Sequence, residues 1–295
     1  MKNSSRISKK IEKKYKTPIN NTYSHRFYRD LFTGYAYSLG EKKLDRRDFF
    51  VIVPDNREIV KIFTTYYDFS YDLERTIDNA LYSMAVYGKA YIFVKPEYVE
   101  KIEEDGKTNN VLEKLYIREA KGILKKDIFY YKTYSKEISS FDISEGMLIT
   151  LDLKELGFKR NYFTKLVKRL GKYDITSAPI ELINTEPTYD FSVHVNKNRE
   201  KFLREVKNIN WYFGTEGLSD SYILYKEINM KIFKMRLLQY VLEKINKVLA
   251  NKYIQDREFR IEARTKNIDY VEVWKKYNKG ELTVSDLNKI LWHYQ

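Results

Sequence analysis

The chain has 295 residues, 43% of them hydrophobic, enough to bury the core of one elongated domain or two modest ones. Its 54 Lys and Arg against 41 Asp and Glu give a formal net charge of +13, which points to a polyanionic partner, nucleic acid before acidic membrane. The absence of cysteine excludes disulfides, thiolate metal sites and cysteine nucleophiles, and no apolar run reaches transmembrane length.

Part of the charge signal has a plainer source. Lys, Asn, Ile and Tyr (27 Tyr) are all over-used, as in products of genomes rich in A and T, so charge and aromatic content carry about half their usual weight here. Residues 1–22 hold Lys2, Arg6, Lys9, Lys10, Lys13, Lys14, Lys16 and the amino terminus against Glu12. This reads as a mobile basic tail, and with no hydrophobic region behind the charges it is not a secretory signal; a cytosolic product is the default. A helix over 25–39 is expected to end at Gly40.

Asp48–Val53 (DFFVIV) reads as a buried strand stopped by Pro54, and Asp55 as the cap of a helix through Tyr66. In the next helix Leu73, Ile77, Ala80, Leu81 and Met84 face one way, and Gly88 sits where a helix C-cap belongs. Ala90–Val94 comes next as a strand ending before Pro96. Further strands are expected over 111–118, 127–134 and 147–151. The N-terminal half is therefore an α+β unit, helices backed on a mixed or antiparallel sheet.

Lys159–Lys172 is helix-like with six basic residues and no acid. Residues 174–195 carry Asp174, Glu181, Glu186 and Asp190 and no Lys or Arg, with Pro179 and Pro187 dividing them into extended pieces over 180–183 and 189–195. Helix returns over 196–210 with Lys197, Arg199, Lys201, Arg204 and Lys207. An aromatic loop, WYFGTEGLS (211–219), then feeds the longest periodic stretch of the chain. Leu224, Ile228, Ile232, Met235, Leu238, Leu242, Ile245 and Leu249 recur at steps of four or three over 219–253, which predicts a helix roughly 50 Å long. Ser219 or Asp220 can cap it, and Glu227, Lys231, Lys234, Arg236 and Lys244 are placed on its wet faces. A strand over 258–264, a helix over 268–277 and a capping-box start at Thr283–Asp286 complete the chain.

No constellation for catalysis emerges. His25, His194 and His293 fall in different elements with no HExxH spacing, no G-x-S-x-G elbow is present, and Gly106-Lys107-Thr108 lacks the earlier glycine of a phosphate-binding loop. No catalytic residue, metal site or cofactor is assigned.

The order of these pieces resembles the portal (head–tail connector) proteins of tailed bacteriophages. Residues 73–94 (LERTIDNALYSMAVYGKAYIFV) are similar to the helix–YG–strand segment of the portal wing. The basic helix, small β module and returning helix of 159–210 resemble the stem–clip–stem excursion. WYFGTEGLS falls where the family has its tunnel loop, and 261–292 resembles the family's ending, in which a strand and helix precede "G-x-(I/L)-T, short helix". Together these span about residues 50–292; the chain is short for a portal and its clip is small.

The resemblance implies an α+β wing over 23–155, a stem helix over 156–173, a clip over 174–195, a second stem helix over 196–210, a tunnel loop over 211–219 and a long helix with C-terminal wing over 220–295. It implies no enzyme. It implies a homo-oligomeric ring of about a dozen subunits at one capsid vertex, assembled in the host cytoplasm, with an axial channel for double-stranded DNA. The implied partners are the terminase ATPase, the major capsid protein and the head-completion or tail adaptor proteins. Sequence-independent phosphate contacts would come from Lys165, Lys168, Arg169, Lys197, Arg199, Lys201 and Arg204. Trp211, Tyr212, Phe213, Gly214, Thr215, Glu216 and Gly217 would form the tunnel loop, or a buried turn anchored by Trp211. Glu181, Glu186 and Asp190 would face a positively charged partner. Three readings compete: a monomeric or dimeric nucleic-acid-binding protein such as a replication factor, another structural protein of a phage particle or a host assembly factor, and, third, an enzyme.

Overall fold

The computed structural model describes residues 2–16, 21, 23–40, 45–63, 68–102, 108–132, 137–143, 148–173, 191–212, 218–254, 258–266 and 268–293. The fold is α+β. The chain divides into two compact units of interleaved segments: Met1–Lys16, Phe32–Arg160 and Met235–Asn267 form the first, and Thr17–Leu31, Asn161–Lys234 and Ile268–Gln295 the second.

The first unit is built around α5 (Phe69–Tyr87). Asp68 caps it by accepting from the Ser70 N–H at 2.8 Å. Its stripe, Leu73, Ile77, Ala80, Leu81 and Met84, is buried as the periodicity predicts. This face lies on a three-stranded antiparallel sheet in which β2 (Lys89–Ile102) runs between β3 (Thr108–Glu119) and β7 (Leu148–Asp152). Gly88 makes the join from α5 to β2. Its backbone is left-handed (φ 80°), its N–H returns to the Met84 carbonyl, and a Cβ there would stand 2.6 Å from the Arg160 backbone oxygen.

The strand does not end before Pro96. The Tyr91 carbonyl accepts from the Ala120 N–H on the β3 side, so Pro96, five residues on, turns its hydrogen-less N to the other side and costs the β2–β3 ladder no hydrogen bond. The resulting hairpin carries a bulge at Glu97/Tyr98.

A second antiparallel sheet, β4 (Gly122–Lys125), β5 (Ile128–Lys132) and β6 (Ile138–Asp142), packs on the first through Tyr91–Phe129 and Phe93–Phe141, ring centroids 4.9 and 4.8 Å apart. Of its strands only β5 is expected from the sequence. β4 and β6 are too short and too polar (GILK, ISSFD) to show a pattern.

Residues 2–14 correct the expectation of a mobile tail. Lys2–Lys14 is a helix, α1, with Ile7 and Ile11, one turn apart, 8% and 4% exposed against the second sheet. The Tyr15 hydroxyl donates to the Gly122 carbonyl at 3.0 Å, and Lys132 pairs with Glu12 at 2.9 Å. Two isoleucines suffice to seat a helix whose remaining faces are basic.

The helix expected over 25–39 is two, α2 (Ser24–Phe32) and α3 (Tyr35–Leu39). The break is stabilised from α5: buried Glu74 accepts from the Ala36 N–H at 3.1 Å and Asp78 from the Gly34 N–H at 2.9 Å. β1 (Phe50–Val53) pairs antiparallel with β8 (Arg260–Ala263). Asn56, rather than Asp55, caps α4 (Arg57–Phe63), accepting from the Glu58 N–H at 3.0 Å.

The long helix, α8 (Asp220–Leu249), has 30 residues, about 45 Å at ~1.5 Å per residue. Its first half belongs to the second unit and its second half to the first. In the first unit Leu237, Leu238, Val241, Leu242, Ile245 and Leu249 are buried. The Asn246 side-chain amide donates to the Ile261 carbonyl and accepts from its N–H, at 2.9 and 2.8 Å, on the side of β8 away from β1.

The second unit contains α6 (Tyr162–Leu170), α7 (Phe191–Glu205), α9 (Tyr270–Asn278) and α10 (Val284–Asn288) besides its part of α8. The capping box at Thr283 is present: its hydroxyl accepts from the Asp286 N–H at 3.1 Å and Asp286 accepts from the Thr283 N–H at 2.9 Å. α7 begins at Phe191, so 191–195 are helical and not extended as expected. The penalty of Val193 and Val195 in a helix is only tenths of a kcal/mol, and propagating an existing helix gains one hydrogen bond per residue. Residues 174–190, where the small β module is expected, lie outside the described residues.

Gly88→Ala will meet both backbone strain and the Arg160 backbone, and is expected to cost about 2–4 kcal/mol in urea unfolding. Gly157→Ala, at φ 81° with nothing within 4 Å of the new Cβ, is expected to cost about 1–2 kcal/mol through strain alone. Equal losses at the two sites would show that the Arg160 contact contributes nothing.

Candidate nucleic-acid interface

The second unit is nucleated by aromatic rings. Tyr23 and Phe27 of α2, Phe163 of α6, Phe202 of α7 and Trp211 are all buried. Phe27–Trp211, Tyr23–Phe202 and Phe202–Trp211 centroids lie 5.0, 5.2 and 5.6 Å apart. The Trp211 indole N–H donates to Asp30 Oδ2 at 3.1 Å. Of the two readings of the loop that begins here, Trp211 fits the buried turn: it is fully enclosed and anchors the end of the α7 segment. The Tyr212 hydroxyl lies 3.4 Å from a Glu227 oxygen. Phe213, Gly214, Thr215, Glu216 and Gly217 lie outside the described residues, as do Glu181, Glu186 and Asp190.

α6 turns Phe163, Leu166, Val167 and Leu170 into this core. Its C-terminal carbonyls are satisfied from the segment before α2: the Asn21 amide donates to the Val167 carbonyl at 2.8 Å and the Tyr23 hydroxyl to the Tyr173 carbonyl at 3.1 Å. That leaves Lys165 and Lys168 exposed on the opposite face.

α7 packs beside α6 and leaves Lys197, Lys201 and Arg204 exposed at steps of four and three, one solvent-facing row. Arg199 is half-buried. Two of the seven proposed contact residues already have carboxylate partners. Arg169 Nε donates to Glu205 Oε2 at 2.7 Å, tying α6 to α7, and Arg204 lies 3.4 Å from Glu200 one turn back. Lys165, Lys168, Lys197 and Lys201 are the remaining exposed cations of the set. The sequence brings the right elements together but does not separate the arginine that holds the helices from the lysines that face water.

The largest departure from the sequence reading lies on α8. Glu227, Lys231 and Lys234, expected on wet faces, are 7%, 7% and 3% exposed, and Lys226 is 1% exposed. The signal is present in the sequence. At about 100° per residue, Lys231 stands only about 20° around the helix from Leu224, inside the apolar stripe. Each charge is answered locally. Lys231 and Glu227 pair at 3.4 Å one turn apart, and Lys234 donates to the Asp30 carbonyl at 3.2 Å. The carboxylate of Asp30 serves Trp211 and the guanidinium groups of Arg26 and Arg29, 3.8 and 3.5 Å away. Lys226 Nζ lies 3.4 Å from the Asn210 side-chain oxygen and 5.2 Å from the Tyr222 ring centroid. Burial pushes its pKa down to about 8.

Among the described residues no three His, Asp or Glu side chains come together as metal ligands, and no helix is long and apolar enough to cross a membrane. The chain matches no known protein-family model, and no curated protein matches it in sequence.

A lysine with a depressed folded pKa binds fewer protons in the native than in the unfolded state, so stability rises with pH between its folded and unfolded pKa values. Conformational stability is therefore expected to climb from about pH 8 towards pH 10, with Lys226 contributing on the order of 1–2 kcal/mol. Above about pH 10 the raised pKa values of Tyr15, Tyr212, Tyr240 and Tyr270, which keep these phenols neutral, act in the opposite direction. Urea unfolding across this range should show the rise in the native chain and a smaller one in Lys226→Met. An identical slope in both would remove Lys226 as its source.

Proposed function

We propose that the chain is a portal-type protein: a subunit of a ring, about a dozen copies, that seats at one capsid vertex and passes double-stranded DNA. The observation that carries this reading is the exposed lysines on two helices that pack side by side, Lys165 and Lys168 on α6 and Lys197 and Lys201 on α7. Several features support it by their order. The α5–Gly88–β2 join comes first. Two basic helices then lead into and out of residues 174–190, the 30-residue α8 comes after them, and a strand, a helix and a capping box close the chain.

A translocation channel has to attract phosphates without binding any sequence and without holding DNA still. Lysines on mobile stems do this through counterion release alone. Arg169, committed to Glu205, serves the α6–α7 packing, and Arg204 is partly engaged by Glu200. On this reading the terminase ATPase supplies the energy and docks on the acidic residues Glu181, Glu186 and Asp190, while the major capsid protein and the head-completion or tail adaptor proteins meet the ring elsewhere. The chain itself catalyses nothing.

The same exposed lysines favour one other reading, a sequence-independent nucleic-acid-binding protein that works as a monomer or dimer. The two part on assembly. Negative-stain microscopy and light scattering of nucleic-acid-free protein at moderate salt should give rings with a central hole and a mass near a dozen subunits. A monodisperse monomer or dimer, unchanged over a hundredfold range of concentration, would overturn the portal reading. Reversing Lys165, Lys168, Lys197 and Lys201 to Glu should leave the rings intact and sharply lower packaged DNA. Undiminished packaging by such rings would remove these lysines from the channel.

A further inference from the structure

A second concentration of positive charge lies in the first unit, where no stem residue contributes. Lys89 opens β2 immediately after Gly88 and pairs in register with Asp152 at the end of β7; their charged atoms are 2.9 Å apart. Arg160 reaches the same carboxylate oxygen of Asp152 at 3.2 Å, its backbone held against Gly88. The other Asp152 oxygen caps the next turn by accepting from the Lys154 N–H at 3.1 Å. Asp152 is nearly enclosed, at 10% side-chain exposure, whereas Lys89 and Arg160 are 30% and 50% exposed.

Lys14, from the end of α1, is the third cation. Its ammonium donates to the Gly122 carbonyl at 3.0 Å and lies over the rings of Tyr15 and Tyr91, 4.8 and 4.6 Å from their centroids. Tyr91 stands two residues beyond Lys89 on the same face of β2. Burial, together with the nearby charges of Lys89 and Arg160, depresses the pKa of Lys14 to about 8. Asp152 pairs with Lys89 and Arg160, and Lys14 joins them over the Tyr91 ring, so three cations stand against this one carboxylate, an excess of two positive charges when all are ionised.

Positive groups that repel one another are held together here by rigid elements: a helix end, the first residue of a strand and a backbone pinned on a glycine. A fourth, anionic group would relieve the repulsion. We infer that Lys14, Lys89 and Arg160 form a binding site for a phosphate group, with the Arg160 guanidinium and the two ammoniums as donors and Asp152 fixing the spacing of Lys89 and Arg160. Compact donors of this kind match a tetrahedral oxyanion with several acceptor oxygens. The inference is independent of the portal reading, because it rests on a different unit and on none of the stem lysines.

The group could belong to free phosphate or a phosphomonoester, or to the phosphodiester backbone of a nucleic acid, and one experiment addresses both. The full-length protein is labelled with a limiting amine-reactive acetylating reagent at pH 8, and modification is mapped by mass spectrometry. It is done in chloride, in 10 mM inorganic phosphate at matched ionic strength, and with a dodecathymidylate lacking terminal phosphates. Lys14, partly deprotonated at this pH, should label readily in chloride and at least fivefold more slowly in phosphate, while exposed Lys172 labels equally in both. Protection by inorganic phosphate alone assigns the site to free phosphate or monoesters, and protection by the oligonucleotide as well extends it to phosphodiesters. Calorimetry should then show phosphate affinity at least tenfold weaker in Lys14→Met than in the native chain. Unchanged Lys14 labelling in both phosphate and oligonucleotide overturns the site. So does a folded Lys14→Met that binds phosphate as the native chain does. Should that variant not fold, the labelling of the native chain decides the question.

Discussion

Four charged side chains on α8 are buried alongside its hydrocarbon, and the second unit is arranged to accommodate them. Taking an ammonium or carboxylate out of water costs several kcal/mol even after relaxation, so each must find an opposite charge or a dipole within reach. Glu227 and Lys231 supply one another at 3.4 Å. Lys234 depends on Asp30, whose carboxylate also receives the Trp211 indole and neighbours two arginines. The position of α2 is thereby tied to the helix, and the aromatic nucleus of Trp211, Phe27, Tyr23 and Phe202 closes around the same residue. A buried salt bridge adds little net stability, but losing one member strands the other. Such a network therefore enforces one arrangement of its helices more than it strengthens them.

The first unit solves a different problem, that of joining a helix to the middle strand of a sheet without an intervening loop. Gly88 reverses the backbone in one residue, and the close approach of Arg160 holds the start of β2 in place. Because Asp152 pairs in register with Lys89 and also caps the turn leading to Arg160, the cations gathered at this join hold their positions through the fold itself. The cost of that placement is visible in Lys14, whose ammonium is disfavoured by burial and by its own neighbours.

Features carried by local pattern were legible in the sequence. The stripe from Leu224 to Leu249, the Leu73–Met84 face of α5, the cap at Gly88 and the Thr283 capping box each depend on residues within one or two turns of one another. What depended on distant partners was not. The break between α2 and α3 is stabilised by Glu74 and Asp78, some forty residues away. Pro96 sits inside β2 because its N faces away from β3, which only the register reveals. α1 docks through two isoleucines in a stretch whose composition is that of a solvated tail. In the proposed interface the sequence identified the basic helices. It could not tell that Arg169 is engaged by Glu205, since that contact spans 36 residues.

The amide of Asn246 bears on solubility. A two-stranded sheet has two open borders, and a border of unpaired N–H and C=O groups is a template onto which strands of other molecules can add. On the outer side of β8, Asn246 occupies both the N–H and the C=O of Ile261, doing with one side chain what a neighbouring strand would do. The helix thus takes one residue's pair of hydrogen-bonding groups out of a border that a strand of another molecule could extend.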